Sequence, residues 1–292
     1  MYPAGLRLIQ YRGFAVAHEV FGDPDGQPVV YLHGTPGAAC EAAFLDAAAK
    51  ANGLCILALA REQVTGDSSE AYLRQLTAEV VQLVGERPLH LIGFSIGASL
   101  ALRIAACLPA PAAGVWLVSA AAPLELPGSL DGMGAGRYTF ALARQYPRLF
   151  AGLAAYQGWL GRHFPAALLG MLFQGAQGAD ASLLGETAHK AQLLRIQRQG
   201  FARGAAAYVR DVQAYVQPWA ASLAEVRVPV QLWHGERDNW APLGMPRNLL
   251  AALAVSELHT LPGLSHYSCL LAASAQLCAH VAASLAHAKA CC

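Results

Sequence analysis

A lone serine lies between two glycines in Gly93-Phe94-Ser95-Ile96-Gly97, where an apolar run ends and an alanine-rich run begins. The G-x-S-x-G pattern is typical of a sharp turn between a strand and a helix that exposes a nucleophilic serine. Gly93 and Gly97 fit this turn because side chains there would collide with the neighbouring strand and helix. The alternative is that Ser95 only caps the following helix, as serine commonly does.

His266 and Asp238 are the residues that we expect to activate Ser95. A serine hydroxyl needs a general base, and the base needs an acid that fixes its tautomer. Of ten histidines, His266 follows a late strand and a turn, at the sheet edge where ligands bind. Asp238 follows the preceding strand, and the chain order Ser-Asp-His matches the one that accompanies this turn. Glu236 and Glu125 stay open as alternative acids.

The stretch HGTPG at residues 33–37 follows an early strand and could hold a developing oxyanion. Acyl transfer needs two donors aimed at that oxygen. We expect the backbone N–H of Ile96 to be one donor and the N–H of Thr35 to be the other. Gly34 and Gly37 would let the backbone approach closely. The alternative for this stretch is a tight Pro-Gly turn with no further role.

Short apolar runs alternate with helical patterns, which predicts the elements that position these residues. Because the strands are almost wholly apolar, they indicate an α/β fold with a parallel sheet covered on both faces. The predicted strands are Leu6–Gln10, Phe14–Phe21, Pro28–Leu32, Cys55–Leu59, Leu89–Phe94, Val115–Ser119, Val228–His234 and Glu257–Leu261. The predicted helices are 39–51, 73–84, 96–108, 246–254 and 267–287.

Residues 125–222 are the exception, because they read as helical and contain no strand run. We therefore predict a core formed by residues 1–124 and 223–292. Residues 125–222 would form a helical cap, inserted between two strands and lying over the carboxyl edge of the sheet.

The charge balance excludes several classes of partner. Lys and Arg number 20 against 19 Asp and Glu, and no basic run occurs, which argues against nucleic acid and an anionic membrane surface. The uncharged run Ile104–Leu124 is long enough to span a bilayer. Its prolines at 109 and 111 instead favour a helix end, a turn and a buried strand. We expect no membrane span.

The seven cysteines show no ligand spacing, and the first 13 residues do not resemble a signal peptide. An odd number of cysteines in such a chain indicates reduced thiols, so we expect a cytoplasmic protein with no metal. The Cys291-Cys292 pair at the terminus suggests no function, and the oligomeric state is not predicted.

The segments HGTPG, GFSIG, WHGERD and PGLSH, in this order and on these elements, resemble the α/β-hydrolase superfamily. The resemblance is greatest to its capped, HGxPG-containing serine hydrolases, which include esterases, thioesterases, aminopeptidases and carbon–carbon bond hydrolases. It implies the α/β-hydrolase fold, a mostly parallel eight-stranded sheet with helices on both faces and a helical cap after strand six. It also implies an acyl-enzyme mechanism, no cofactor, a pocket between sheet and cap, and a structural role for His33.

Two departures from the superfamily pattern affect the pocket. Many members carry Asp-Arg-Pro-Gly-x-Gly-x-Ser after the fourth strand, whereas residues 60–68 read AREQVTGDS. We therefore expect a loop of different shape near the pocket mouth. Ile96 stands where proline-specific peptidases usually place Trp, which weakens an iminopeptidase interpretation. Serine rather than aspartate at position 95 counts against epoxide hydrolase and dehalogenase chemistry.

The sequence therefore predicts a serine hydrolase that cleaves a carboxylic ester or thioester of a small-molecule acyl substrate. A CoA- or carrier-bound thioester is an alternative that scattered arginines in the cap could serve. Trp159, Trp240 and Tyr267 are the candidate pocket residues. Two other hypotheses stay open: a carbon–carbon bond hydrolase or lyase/cyclase of a biosynthetic pathway with the same triad, and a non-catalytic ligand-binding homologue.

Overall fold

The structure is a computed structural model that describes residues 6–11, 14–64, 68–108 and 112–290. The Cys291-Cys292 terminus and residues 65–67 of the atypical loop lie outside the described residues. The strands are β1 (Leu6–Tyr11), β2 (Phe14–Gly22), β3 (Gln27–Leu32), β4 (Leu54–Leu59), β5 (His90–Phe94), β6 (Gly114–Val118), β7 (Val230–Gly235) and β8 (Ser256–Leu261).

Within the described residues, these strands form one sheet in the order β1-β2-β4-β3-β5-β6-β7-β8. Strand β2 runs antiparallel to β1 and β4, and the other neighbours are parallel. The predicted α/β fold with a mostly parallel sheet is confirmed. The predicted strand Val228–His234 begins two residues later, at Val230, after Pro229, which has no N–H to donate to a ladder.

The central strands are mostly apolar because both faces of the sheet are covered. In β3, Val30 and Leu32 belong to the apolar cluster on one face, whereas Val29 and Tyr31 belong to the cluster on the other. Side chains that alternate along a strand point to opposite faces, so a strand between two helical layers needs apolar residues at every position.

The helices lie around this sheet. They are α1 (Asp46–Ala51), α2 (Ser69–Val84), α3 (Ile96–Cys107), α4 (Gly136–Gln145), α5 (Pro147–His163), α6 (Pro165–Phe173), α7 (Asp180–Leu183), α8 (Thr187–Gly200), α9 (Ala206–Tyr215), α10 (Gly244–Ala252) and α11 (His266–Ala290). The predicted helix at 39–51 is divided, because residues Ala39–Leu45 form a 3₁₀ helix before α1.

Residues 125–222 contain helices α4 to α9 and no strand, and they lie between β6 and β7. The uncharged run Ile104–Leu124 does not form one helix, because it contains the end of α3, strand β6 and the loop after it. Only one helical segment in the described residues, His266–Leu285 of α11, has the length and hydropathy to cross a membrane. Its mean hydropathy is 1.4, and 44% of it is buried within the protein.

Candidate active site

Ser95 occupies the turn between β5, which ends at Phe94, and α3, which begins at Ile96. Its backbone has a φ of 56°, a left-handed conformation that residues other than glycine rarely adopt and that is common at functional sites. The turn is held by hydrogen bonds from Ser95 N to Val118 O and from Ala98 N to Ser95 O, both 3.0 Å. The Ser95 side chain makes no capping hydrogen bond to the helix. The geometry therefore favours the exposed-nucleophile interpretation over the helix cap.

Both glycines of the turn are required by close backbone approach. A Cβ at Gly97 would lie 2.1 Å from the carbonyl oxygen of Leu32, and one at Gly93 would lie 2.6 Å from the Cα of Ala98. Both contacts are with backbone, which cannot move away cheaply. The steric reason expected from the sequence applies at both positions.

His266 and Asp238 meet at the carboxyl ends of β7 and β8. His266 Nδ1 lies 2.7 Å from Asp238 Oδ2, and both side chains are buried. The other oxygen, Asp238 Oδ1, accepts hydrogen bonds of 2.9 Å from the backbone N–H groups of Trp240 and Ala241. An ionised carboxylate can only accept, so Nδ1 carries the proton and Nε2 has the free lone pair that a general base needs.

The two alternative acids are placed elsewhere. Glu236 is exposed to solvent. Glu125 accepts 2.6 Å hydrogen bonds from the backbone N–H groups of Trp219 and Ala220, at the start of a 3₁₀ helix. Neither contacts His266, so the structure brings Asp238 alone of the three acids to the histidine.

Burial and charge shift the pKa values of His266 and Asp238 in opposite directions. Burial lowers the pKa of His266, but the attraction and hydrogen bond of Asp238 outweigh it and raise that pKa above 6.5. Burial likewise raises the pKa of Asp238, but His266 outweighs it and holds that pKa below its ordinary value. Asp238 is therefore ionised at neutral pH and stabilises a positive charge on His266.

Ser95 and His266 line the same cavity, but no hydrogen bond joins Ser95 Oγ to the imidazole in this structure. Such contacts are often long before substrate binds. Phe94 and Trp240 pack against the histidine ring, with ring centroids 4.8 and 5.2 Å away. These rings limit how far His266 can move from the serine.

The candidate oxyanion loop, residues 33–37, follows β3 and reaches the cavity at Gly34 and Thr35. In the part of the chain that the structure describes, no acceptor is found for the backbone N–H of Thr35 or Ile96. By contrast, the N–H of Gly34 donates to Glu41 Oε1 at 2.8 Å. The N–H groups of Thr35 and Ile96 are therefore available to donate to an oxyanion.

Arg61 is a fully buried residue that positions this loop, and no sequence pattern identifies it. Its guanidinium donates to the carbonyl oxygen of His33 at 2.6 Å, to that of Gly34 at 3.3 Å and to Thr35 Oγ1 at 3.0 Å. It also forms an ion pair of 2.8 Å with Asp211. The loop at residues 60–68 was expected near the pocket mouth, but Arg61 packs behind the oxyanion loop and does not line the cavity.

Asp211 belongs to α9, so this ion pair joins the core to the helical insertion. Asp211 also accepts hydrogen bonds from Thr35 Oγ1 at 3.1 Å and from Tyr72 OH at 2.6 Å. Burial raises the pKa of Asp211, but Arg61 outweighs that effect and keeps it below its ordinary value. Burial and Arg61 together lower the pKa of His33 to about 3, which agrees with a neutral structural residue.

Two further buried carboxylates, Glu41 and Asp180, support the site, and no sequence motif identifies either. Glu41 accepts from Gly34 on one oxygen and from Tyr267 OH on the other, at 3.2 Å, so it links the oxyanion loop to the residue after His266. Asp180, on α7, accepts from the backbone N–H groups of Tyr267 and Ser268 at 2.9 and 2.8 Å. It therefore caps α11 at the turn that carries His266.

The cavity beside Ser95 has a volume of about 360 Å³, within the range of small-molecule sites. It lies between the sheet edge and the helices of the insertion, and Trp240 and Tyr267 line it as predicted. Trp159 does not: it is 45% exposed and packs with Tyr156 on the outer side of α5. Placing Trp159 in the pocket was wrong, because aromatic composition does not tell which face of a helix is turned inward.

The described residues contain no group of three or more His, Cys, Asp or Glu that could hold a metal ion. Around Ser95 the structure brings together a serine hydroxyl, an imidazole paired with a carboxylate, and the N–H groups of Thr35 and Ile96, for which no acceptor is found among the described residues. That combination suits attack on a carbonyl carbon and stabilisation of the resulting oxyanion.

A sequence model described as the alpha/beta hydrolase family matches residues 29–280 of the chain. No curated protein matches the sequence at a significant level. Solved structures do share the fold. An alpha/beta hydrolase fold protein from Nakamurella multipartita is 19% identical with a TM-score of 0.61, covering 96% of this chain and 98% of its own.

Two other similar structures come from proteins with different activities. A proline iminopeptidase from Mycobacterium smegmatis is 18% identical, with a TM-score of 0.64 and coverage of 97% of this chain and 98% of its own. An esterase from Exiguobacterium antarcticum is 16% identical, with a TM-score of 0.64 and coverage of 95% and 98%. At these identities the likeness shows a shared fold, and the choice of reaction has to be argued from the site itself.

Proposed function

The chain belongs to the alpha/beta hydrolase family, and from this premise we propose that it is a serine hydrolase that cleaves a carboxylic ester through an acyl-enzyme. The observation that carries the proposal is Ser95 in its left-handed turn, with a side chain that does not cap α3 and that faces the same cavity as His266, the partner of Asp238. A structural serine at a helix start would cap that helix, and a structural histidine would not need a buried carboxylate at 2.7 Å.

In the proposed reaction, His266 Nε2 takes the proton from Ser95 Oγ as the oxygen attacks the carbonyl carbon. The N–H groups of Thr35 and Ile96 donate to the oxyanion of the tetrahedral intermediate. Asp238 stays ionised and stabilises the imidazolium. The imidazolium then gives its proton to the leaving alcohol, and the same histidine activates the water that hydrolyses the acyl-enzyme.

The cavity lining supports an uncharged acyl group. Among the described residues, none of those that line the cavity is Asp, Glu, Lys or Arg. The cap arginines that could have served a CoA- or carrier-bound thioester do not line the cavity, and two of them are engaged elsewhere: Arg195 with Glu19, and Arg210 with the backbone oxygens of Arg61 and Val64. A neutral ester is therefore favoured over an anionic thioester.

The test is Ser95→Ala, measured with a fluorophosphonate probe and a panel of neutral esters. We expect the variant to lose probe labelling and to lower kcat by at least about 10⁴-fold, because the nucleophile is removed. Ser182→Ala is the matched control, since this exposed serine lies on α7 outside the cavity and should keep full labelling. Labelling that persists in Ser95→Ala would overturn the assignment. Analysis of the products separates ester hydrolysis from cleavage of a carbon–carbon bond.

A further inference from the structure

Three amide side chains line the cavity with carbonyl oxygens that are buried and unpaired. They are Gln157, Gln197 and Asn239, and no hydrogen-bond partner for Gln157 Oε1, Gln197 Oε1 or Asn239 Oδ1 is found among the described residues. Buried polar atoms are almost always paired, because an unpaired acceptor loses its hydration without compensation. Three such oxygens on one cavity indicate that a bound molecule donates hydrogen bonds to them.

Gln197 is the most deeply placed of the three, with only 5% of the residue exposed. It lies on α8, and Gln157 lies on α5, so both belong to the helical insertion. Asn239 comes from the core, directly after Asp238. Its Nδ2 donates to the carbonyl oxygen of Gly175 at 2.8 Å, which fixes the amide and leaves Oδ1 as an acceptor. The acceptors therefore approach the cavity from both the cap and the core.

The rest of the lining determines which donor fits. The cavity walls are formed mostly by apolar and aromatic side chains, such as Phe140, Leu168 and Leu193, and the described residues that line them include no carboxylate. An ammonium group would be buried there without a counter-charge, which is costly. A neutral donor, an amide N–H or a hydroxyl, pairs with an amide oxygen and brings no charge into the site.

We propose that Gln197, together with Gln157, forms a specificity subsite for a neutral ester that carries a hydrogen-bond donor on an otherwise apolar framework. The inference rests on the proposed function, because it describes the substrate that Ser95 attacks. Gln197 receives the donor, Gln157 and Asn239 offer further acceptors, and the apolar walls contact the rest of the molecule. An amide N–H or a hydroxyl on the substrate is then the feature by which the enzyme selects it.

The experiment compares matched neutral aryl esters that differ only in the donor. One pair is an N-acylamino ester and its N-methyl counterpart, and a second series moves one hydroxyl along an alkanoyl chain of fixed length. We expect the wild-type enzyme to prefer a donor-bearing ester by about 10- to 100-fold in kcat/KM, the range for pairing one buried acceptor. Gln197→Met, which keeps the length of the side chain but removes both polar atoms, should bring the ratio close to one.

Gln145→Met provides the matched control, since Gln145 is exposed at the end of α4 and lies outside the cavity. It should keep the full preference. Equal rates for the two members of each pair in the wild-type enzyme would overturn the inference. So would a preference that survives in both Gln197→Met and Gln157→Met.

Binding of the same esters to Ser95→Ala, followed by calorimetry, separates this inference from the proposed function. A donor preference in binding, with no turnover and no probe labelling in the wild-type enzyme, would overturn hydrolysis and support the subsite. Turnover that depends on Ser95 without a donor preference would support hydrolysis and overturn the subsite.

Discussion

The two sides of the candidate active site are built differently. On the acid side, His266 and Asp238 are 28 residues apart, and each follows a strand of an adjacent pair, β7 and β8. On the oxyanion side, the loop at 33–37 is held by Arg61 and Asp211, which are 150 residues apart and join the core to α9. The acid and the histidine thus both come from the sheet edge, with Asp180 of the insertion capping the helix that begins at His266, whereas the oxyanion loop is held by an ion pair between the core and the insertion.

The insertion therefore contributes more than the walls of the cavity. Its helices line the cavity. Asp211 also neutralises the buried guanidinium of Arg61, which donates hydrogen bonds to His33, Gly34 and Thr35 of the oxyanion loop. Movement of α9 would therefore disturb the oxyanion donors before it reached the acid–histidine pair. Substitution of Asp238 and substitution of Arg61 should therefore affect catalysis and stability to different extents.

The largest effect is expected on the acid side, for Asp238→Asn. The amide no longer stabilises the imidazolium and can hold the wrong tautomer of His266, so kcat should fall by about 10⁴-fold with a neutral ester. The backbone hydrogen bonds from Trp240 and Ala241 can still be accepted by the amide oxygen. Circular dichroism should accordingly show an unchanged fold. A loss of less than about 10-fold would mean that Asp238 is not the acid.

The pH profile checks the same substitution independently. His266 acts as a base only when neutral, so kcat/KM of the wild-type enzyme should fall as the pH falls through its pKa, which lies above 6.5. Burial lowers this pKa and Asp238 raises it, so removal of the charge should lower it. In Asp238→Asn, the acidic limb should therefore move to lower pH. A limb that stays in place would show that another group titrates.

The sequence predicts the residues of the acid side better than those that hold the oxyanion loop. Ser95, Asp238 and His266 each follow a strand within a recognisable turn, and strand ends of a parallel sheet meet at one edge. Arg61 and Asp211 carry no such signal, because an ion pair across 150 residues depends on how the insertion packs. For the fold, the periodicity predicted a mostly parallel sheet with helices around it. It could not predict the face that Trp159 presents, which depends on packing between helices.

On the oxyanion side, Arg61→Met should have an intermediate effect. It leaves Asp211 buried with only Arg210, 3.9 Å away, as a cationic neighbour, which should lower the free energy of unfolding by about 3 kcal/mol. The loop also loses three hydrogen bonds, so we expect kcat to fall by about 10- to 100-fold, less than the loss of one oxyanion donor can cost. Urea unfolding and ester kinetics measure the two effects.

The exposed pair Arg227 and Glu225 provides the control for this substitution, and Arg227→Met should change stability by less than about 1 kcal/mol. In Arg61→Met/Asp211→Leu, no buried charge is left unpaired, so the double variant should be more stable than the sum of the single effects predicts. Its kcat should stay low, because the loop is still unsupported. Recovery of kcat together with stability would show that Arg61 matters only for folding.

The smallest effect is expected for Tyr72→Phe, which removes one of the hydrogen bonds to Asp211 and leaves the ion pair intact. Because the acceptor is charged and buried, we expect a loss of about 2 kcal/mol in the free energy of unfolding. Tyr72 makes no contact with the oxyanion loop itself, so kcat should fall by less than about 5-fold, the reduction that a small displacement of α9 would produce. Tyr138→Phe, at an exposed position on α4, should change stability by less than about 0.5 kcal/mol. A rate loss in Tyr72→Phe as large as that in Arg61→Met would mean that the position of α9, rather than the guanidinium, sets the oxyanion loop.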